Sequence, residues 1–185
     1  MSKKATITRE MILNAALEIT RREGAECVNA RSIAGELGCT TQPVLYHFST
    51  VREIKEAVYR RADELHTAYV TDVRGRYDHP LLEIGMQYVR FAVEERHLFR
   101  LLFQSNQFAS KGFGDLLDDE GLTPLIRVMA SATRLGESKV RDLFAGLFFP
   151  VHGIASLIAN NAMVFDEAYV AGILTDLYEA LSQTL

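Results

Sequence analysis

The sequence predicts an all-α fold, and three observations carry that expectation. Proline is scarce, at 4 of 185 residues. No long run alternates apolar with polar residues, as a half-buried strand would. Apolar residues recur instead at steps of three and four, the period of one face of a helix. An apolar fraction of 48% is ordinary for a chain that buries a core. The length suits one large domain, or a small one fused to a mid-sized one.

Each element has its own local signal. Thr8 can cap a first helix through its hydroxyl. Ile12, Ala15, Ala16 and Ile19 follow on one face, and Gly24 is expected to end the helix in the left-handed conformation. Asn29 can cap a short second helix whose buried side is Ile33, Ala34 and Leu37, with Gly38 as its stop. Cys39 and Thr40 make a brief turn, and Thr40 or Thr41 caps a third helix. Pro43 falls in that helix's first turn, where a missing N–H costs little. Val44 and Phe48, four residues apart, face inward.

Ser49 and Thr50 interrupt the chain again. The stripe Val51, Ile54, Val58, Ala62, Leu65 and Tyr69 then predicts a long helix ended by Gly75 and the Asp78-His79-Pro80 cluster. This gives a three-helix unit over 1–50, a connecting helix over 51–73 and a helical domain over 74–185. Within the last, 81–106 reads as one helix or two, broken near Glu95-Arg96-His97. Residues 112–121 read as a loop with a short apolar piece. A helix over 122–135 has Pro124 in its first turn and Gly136 as its end. A long apolar helix covers 138–163, with Pro150 as a kink or break. An amphipathic helix closes the chain over 166–185.

Charge is distributed unevenly. Residues 1–66 carry 10 Lys and Arg against 9 Asp and Glu, a balance of +1, so 67–185 hold the remaining 10 against 15, or −5. Lys3, Lys4, Arg9, Arg31 and Arg52 are the free cations of the first part, a pattern compatible with phosphate contacts. Cys27 and Cys39 form no disulfide framework or metal motif and read as small buried hydrophobes. The start, Met1-Ser2-Lys3-Lys4, has no apolar stretch behind it, and no run of ~18 apolar residues is evident. A cytoplasmic location with no membrane partner is the expectation.

Two short helices joined at Gly38-Cys39-Thr40 have helix-turn-helix spacing. The first would lie across a DNA backbone and the second would enter the major groove, where its N-terminal residues reach base edges. Thr40, Thr41 and Gln42 open the second helix. Gln42 suits adenine edges, and the Thr methyls and Pro43 suit a thymine methyl. Tyr46 and His47, one turn later, suit phosphates, as do Asn29 and Arg31 at the start of the preceding helix. The same spacing also describes a plain αα-hairpin in a bundle.

Residues 8–60 resemble the N-terminal domain of the TetR family of transcriptional regulators. The matching residues are Ile12-Leu13-Asn14-Ala15-Ala16-Leu17 with Gly24, then Arg31-Ser32-Ile33-Ala34-Gly35-Glu36-Leu37-Gly38, the run from Thr40 to Phe48, and Arg52-Glu53-Ile54. The stretch Val151-His152-Gly153-Ile154-Ala155-Ser156-Leu157 is similar to a regulatory-domain segment of some members. Leu45 stands where the family commonly has Tyr, with Tyr46 next to it. Val51 stands where a phosphate-touching Lys usually sits, with Arg52 adjacent.

The resemblance implies a homodimer built from the last two long helices, which would set two recognition helices about 34–36 Å apart, or a multiple of that, on a palindrome. The small and apolar residues of 138–163 fit such an interface, and equally fit burial within one subunit. It also implies a small-molecule effector that binds inside the C-terminal bundle and moves the fourth helix. Function is therefore expected as a sequence-specific DNA-binding regulator, a repressor by default, released from its operator by ligand. An all-helical dimeric interaction protein that does not bind DNA is the alternative.

Pocket candidates are Met86, Phe91, Phe99, Phe103, Phe148, His152 and Met163, all of which also read as ordinary core. His152 can offer a polar contact or be a satisfied core histidine. No nucleophile–base order, phosphate-binding glycine loop or paired carboxylate motif is present, so no enzyme and no cofactor are expected. His66, His79 and His97 are scattered, and Asp118-Asp119-Glu120 reads as a solvated loop, so no metal site is expected.

Overall fold

Thr8 starts the first helix: its side-chain oxygen accepts the N–H of Met11, as an N-cap should. In the computed structural model, which describes residues 6–105 and 120–183, nine α-helices follow one another with no strand among the described residues. They are α1 (Arg9–Glu23), α2 (Ala30–Glu36), α3 (Thr41–His47), α4 (Val51–Val70), α5 (Pro80–Glu94), α6 (Arg96–Phe103), α7 (Thr123–Thr133), α8 (Glu137–Ala159) and α9 (Glu167–Ser182). Single 3-10 turns occupy Ala25–Cys27 and Glu120–Leu122. The chain divides into two compact units, residues 6–64 with His97–Ser105, and Leu65–Arg96 with 120–183.

The first unit is built on α1, α2 and α3, which all pack on one another. Ile12, Ala16, Ile33, Val44, Phe48, Ile54 and Ala62 have no accessible surface. Gly24 ends α1 by donating its N–H to Thr20, but at φ 98°, ψ 158° it is not the left-handed cap expected. Its ψ is extended, so the chain leaves the helix directly into a 3-10 turn, in a region of φ/ψ open essentially to glycine alone. Leu37 is half-buried rather than buried. Helix α6 falls with this unit from His97 onward and buries Leu98, Phe99 and Leu102.

Helix α4 ends at Val70, three residues short of the expected 73. The Thr71 hydroxyl turns back to the Thr67 carbonyl at 2.7 Å, and the N–H groups of Arg74, Gly75 and Arg76 are taken by the Glu83 carboxylate instead of a helix ladder.

In the second unit α5 packs most extensively on α8, and α7 and α9 pack on both. The expected break near 95–97 falls at Glu95, with φ −116° and ψ 45°. Helix α7 is shorter than expected because Arg134, not Gly136, takes the left-handed position at φ 59°. Gly136 has an ordinary φ of −68° and opens α8. Pro150 does not break α8; it lies within the helix on the solvent side. The helix stops at Ala159, before the expected 163, and Asn161 turns the chain at φ 58°. Asp166 caps α9 by accepting the Tyr169 N–H at 3.0 Å. Gly85 lets α9 approach closely, since a Cβ there would sit 3.0 Å from the Leu174 side chain.

The expected loop over 112–121 lies, except for Glu120 and Gly121, outside the described residues. Helix α8 is long and apolar enough by composition to cross a bilayer, with mean hydropathy 1.6, and a third of that stretch is buried. Counting unbroken apolar residues overlooks it, because Gly, Pro and His interrupt the run without lowering its mean hydropathy much.

Candidate nucleic-acid interface

Helices α2 and α3 have seven residues each, too few to persist alone. The start of α2 is therefore fixed side chain by side chain. Asn29 Oδ1 accepts the N–H groups of Arg31 and Ser32, both at 3.0 Å, and Ser32 Oγ accepts the Asn29 N–H at 3.0 Å. That reciprocal pair is a capping box. Gly38, at φ 60°, then reverses the chain, with Cys39 N–H bonded to the Ala34 carbonyl at 2.9 Å. Thr40 occupies the N-cap position of α3 without a side-chain bond.

Because Val44 and Phe48 are fully buried, the other side of α3 faces solvent. Thr41, Gln42, Leu45 and Tyr46 are exposed there, Tyr46 to 84%, and Pro43 is half-buried. Leu45 is a member of this face that sequence reasoning did not include. Its signal was the departure at that position together with the inward pair that flanks it.

The named polar residues differ in how free they are. The Asn29 side chain is committed to capping, and its amide donates to the Cys27 carbonyl at 3.1 Å. His47 donates from Nε2 to the Ile7 carbonyl at 2.9 Å, tying the chain ahead of α1 to the end of α3, and stands edge-on to Tyr46. Two of the cations expected to be free are paired. Arg9 reaches Glu53 at 3.4 Å and lies 4.3 Å over the Phe48 ring, and Arg52 pairs with Glu56 at 2.8 Å. The Arg52 side chain is 88% exposed, so that pair is weak and readily exchanged. Arg31 is exposed and makes no ion pair among the described residues. Lys3 and Lys4 lie outside the described residues. Both cysteines are half-exposed free thiols, not buried hydrophobes; each thiol reaches a local carbonyl, Glu23 for Cys27 and Thr40 for Cys39.

The bundle candidates do not form one set. Phe99 and Phe103 belong to the first unit, where their rings are 4.9 Å apart. Met86 and Phe91 are fully buried in the second, and Met163 is an exposed loop residue. Phe148 and His152 do come together, with ring centroids 5.2 Å apart and nearly parallel. His152 is half-buried, with Tyr88 hydroxyl 2.9 Å from Nδ1 and Ser156 Oγ 3.2 Å from Nε2. Burial lowers its pKa, favouring the neutral ring. His66 packs edge-on to Tyr88 and Phe91, and burial presses its pKa to about 3. Tyr88 went unforeseen because 64 residues separate it from its partner His152; Ser156, one helical turn past His152, was within reach of the spacing and was overlooked.

Two further polar assemblies brace this unit. The Glu83 carboxylate, with no accessible surface, receives Arg74 N–H at 2.9 Å, Gly75 N–H at 2.8 Å, Arg76 N–H at 3.1 Å and Arg76 Nε at 3.0 Å. Burial raises its pKa, but the hydrogen bonds from Arg74, Gly75 and Arg76 together outweigh it and bring the net shift below the usual carboxylate value. Arg90 pairs with Glu167, which also accepts the Tyr77 hydroxyl at 2.7 Å. Among the described residues, no group of three or more His, Cys, Asp or Glu side chains could hold a metal ion.

This combination, a capped helix-turn-helix unit and a separate all-helical unit, defines a class of two-unit helical proteins with a nucleic-acid-binding type of motif. Residues 81–181, more than half of the chain, match the family described as the tetracyclin repressor-like C-terminal domain. The chain belongs to that family, the TetR family, whose members are regulators and not enzymes. Solved structures share the fold. The multidrug-binding protein EbrR, complexed with ethidium, is 19% identical, with a TM-score of 0.60 over 91% of this chain and 96% of its own. A TetR family member from Streptomyces coelicolor A3 is 20% identical, with a TM-score of 0.53 over the same shares. No curated protein matches the sequence.

Proposed function

We propose that this chain is a homodimeric, sequence-specific DNA-binding regulator of transcription, a repressor released from a palindromic operator by a small molecule. The observation that carries the reading is the solvent face of α3, where Thr41, Gln42, Leu45 and Tyr46 are exposed while Val44 and Phe48 are buried. A helix anchored from behind in this way offers base-reading side chains without needing to reorder. Thr40, Thr41, Gln42 and Pro43 read bases, and Arg31, Tyr46 and Arg52 meet phosphates. Asn29 and His47 act through position, because their side chains are already engaged.

Support for the dimer comes from α8 and α9. Phe149 and Leu157 on α8, with Tyr169 and Ile173 on α9, are large apolar side chains left 37–64% exposed. An exposed apolar face of this kind marks an association surface. It also accounts for a helix as apolar as α8 without a bilayer, and the protein acts in the cytoplasm without turning over a substrate. EbrR, described as a multidrug-binding protein with ethidium, supports a small-molecule effector here. Phe91, Phe148 and His152 are the sequence-derived candidates we retain for lining its site.

Selection of duplexes from a random library, with affinities of the winners measured at two salt concentrations, tests the reading. A palindromic winner that binds far more tightly than random DNA and weakens as salt rises is the expected result. No enriched sequence would overturn it in favour of a dimeric interaction protein.

A further inference from the structure

A groove of about 600 Å³ opens in the second unit where α4 ends. Its walls include Tyr69, Thr71, Asp72, Arg74, Arg76 and Gln87. Pockets for aromatic or lipid-like molecules are mostly apolar; these walls are mostly polar. Phe91, Phe148 and His152 do not line it, so it is distinct from the bundle candidates.

The charges on its walls cancel locally. Arg74 holds both Asp72 oxygens, Nε to Oδ1 at 3.0 Å and a terminal nitrogen to Oδ2 at 2.8 Å. Arg76 is answered by the buried Glu83. A free anion or cation therefore meets no uncompensated opposite charge. What remains is hydrogen-bonding capacity of both kinds. A guanidinium carries five N–H donors, and these contacts use only some of those on Arg74 and Arg76. Thr71 donates its hydroxyl proton to Thr67, and Tyr69 donates its own to Glu94 at 2.7 Å, so both oxygens are left as acceptors.

Gln87 adds a further polar group to these walls. Its side chain is 3% exposed, and Nε2 donates to the Asp72 carbonyl at 2.9 Å. Oε1 accepts no hydrogen bond among the described residues, although Gln87 lines the groove. With no protein donor of its own and not cut off from solvent, that oxygen is an acceptor that a ligand hydroxyl in the groove can take in place of water.

Alternating donors and acceptors with no net charge suit groups that both give and take a hydrogen bond, which is the chemistry of hydroxyls. We propose that this groove binds a neutral polyhydroxylated molecule, a sugar or polyol, with Gln87 Oε1 accepting from one hydroxyl and Arg74 and Arg76 donating to its neighbours. Tyr69, the last half-buried aromatic of α4, forms one wall, so occupancy is felt at the end of that helix. Binding itself does not depend on the operator reading, but a consequence for DNA release would rest on it.

The test is titration of the full-length protein, without DNA, with glucose, trehalose, myo-inositol and inorganic phosphate, read by calorimetry and by NMR of the Gln87 amide and Arg side-chain resonances. At least one neutral compound is expected to bind and shift Gln87 Nε2 and Arg76 Nε, with phosphate inert. Arg74→Ala, at the exposed rim, should weaken that binding about tenfold, as should Gln87→Met where it folds. Failure of all three neutral compounds at tens of millimolar, preference for phosphate, or unchanged affinity in Arg74→Ala would each overturn the proposal. Because no DNA is present, a negative result leaves the operator selection experiment to stand or fall alone.

Discussion

The imidazole of His79 and the phenol of Tyr178 lie ring over ring at 4.1 Å, with Nε2 2.7 Å from the hydroxyl oxygen. Nδ1 of the same ring accepts the Leu81 N–H at 3.1 Å, which caps α5. A backbone N–H can only donate, so the ring's proton sits on Nε2 and goes to the Tyr178 oxygen. One neutral histidine thus caps one helix and holds another.

Acidification should break that arrangement. A second proton would place Nδ1–H against the Leu81 N–H and a positive charge at a helix N-terminus. Burial lowers the folded pKa of His79 below 6.5, as it does for His152 and for His66, which falls to about 3. For a base with a lowered folded pKa, the unfolded chain binds more protons. This stability is therefore fully present above pH 6.5 and is lost as pH falls through the folded pKa values. Melting curves from pH 8 to pH 5 should show a falling Tm below 6.5, with a shallower fall in His79→Asn, which keeps a neutral cap. An equal slope in both proteins would remove His79 from the set.

Glu83→Gln should cost roughly 2–3 kcal/mol in urea unfolding, since it takes the charge out of four hydrogen bonds and leaves Arg76 unanswered. The folded pKa of Glu83 is lowered below 4.5, so its contribution holds above 4.5 and disappears as pH falls through the folded value. The difference between the two proteins should shrink at the acid end of a pH series of urea curves.

Arg31→Ala and Gln42→Ala should separate positioning from reading. The first is expected to weaken all duplexes alike and to make the salt dependence shallower by about one unit of slope. The second is expected to relax preference at particular base positions. Binding isotherms on selected and scrambled duplexes at several salt concentrations distinguish the two patterns.

Leu157→Lys places a charge on the exposed apolar side of α8, at a position 46% accessible in the single chain. Sedimentation should find a monomer where the parent is a dimer. A variant that remains dimeric would move the interface elsewhere.

Asn29→Ala should cost about 1 kcal/mol of stability, the usual worth of an N-cap, and lower DNA affinity through the loosened start of α2. Serine at that position should restore most of both, because it can still accept the helix N–H groups.

Much of the first unit is legible in the sequence, since its signals are local: a cap, an apolar face and a glycine stop within seven to fifteen residues. The inward pair Val44 and Phe48 and the break at Glu95 follow from spacing alone. The errors fall where a distant group wins. Helix α4 stops at Val70, and beyond it the N–H groups of Arg74, Gly75 and Arg76 go to Glu83, a residue distant in sequence, instead of to a continued helix ladder. Arg9 is not free because Phe48 and Glu53 come to it through the fold. The pocket candidates scattered for a similar reason: aromatic spacing marks a helix's buried face but not which unit that face serves, and α6 joins the first.

The two seven-residue helices of the first unit keep their shape largely through the core behind them, where Ile33, Val44 and Phe48 have no accessible surface. Genetics should notice this. A screen for alleles that have lost regulation would return substitutions at these three hidden positions alongside those at Gln42 and Arg31. The two groups would look alike in a reporter strain, and they would part on heating: the hidden-site alleles should be temperature-sensitive, the surface alleles indifferent to it.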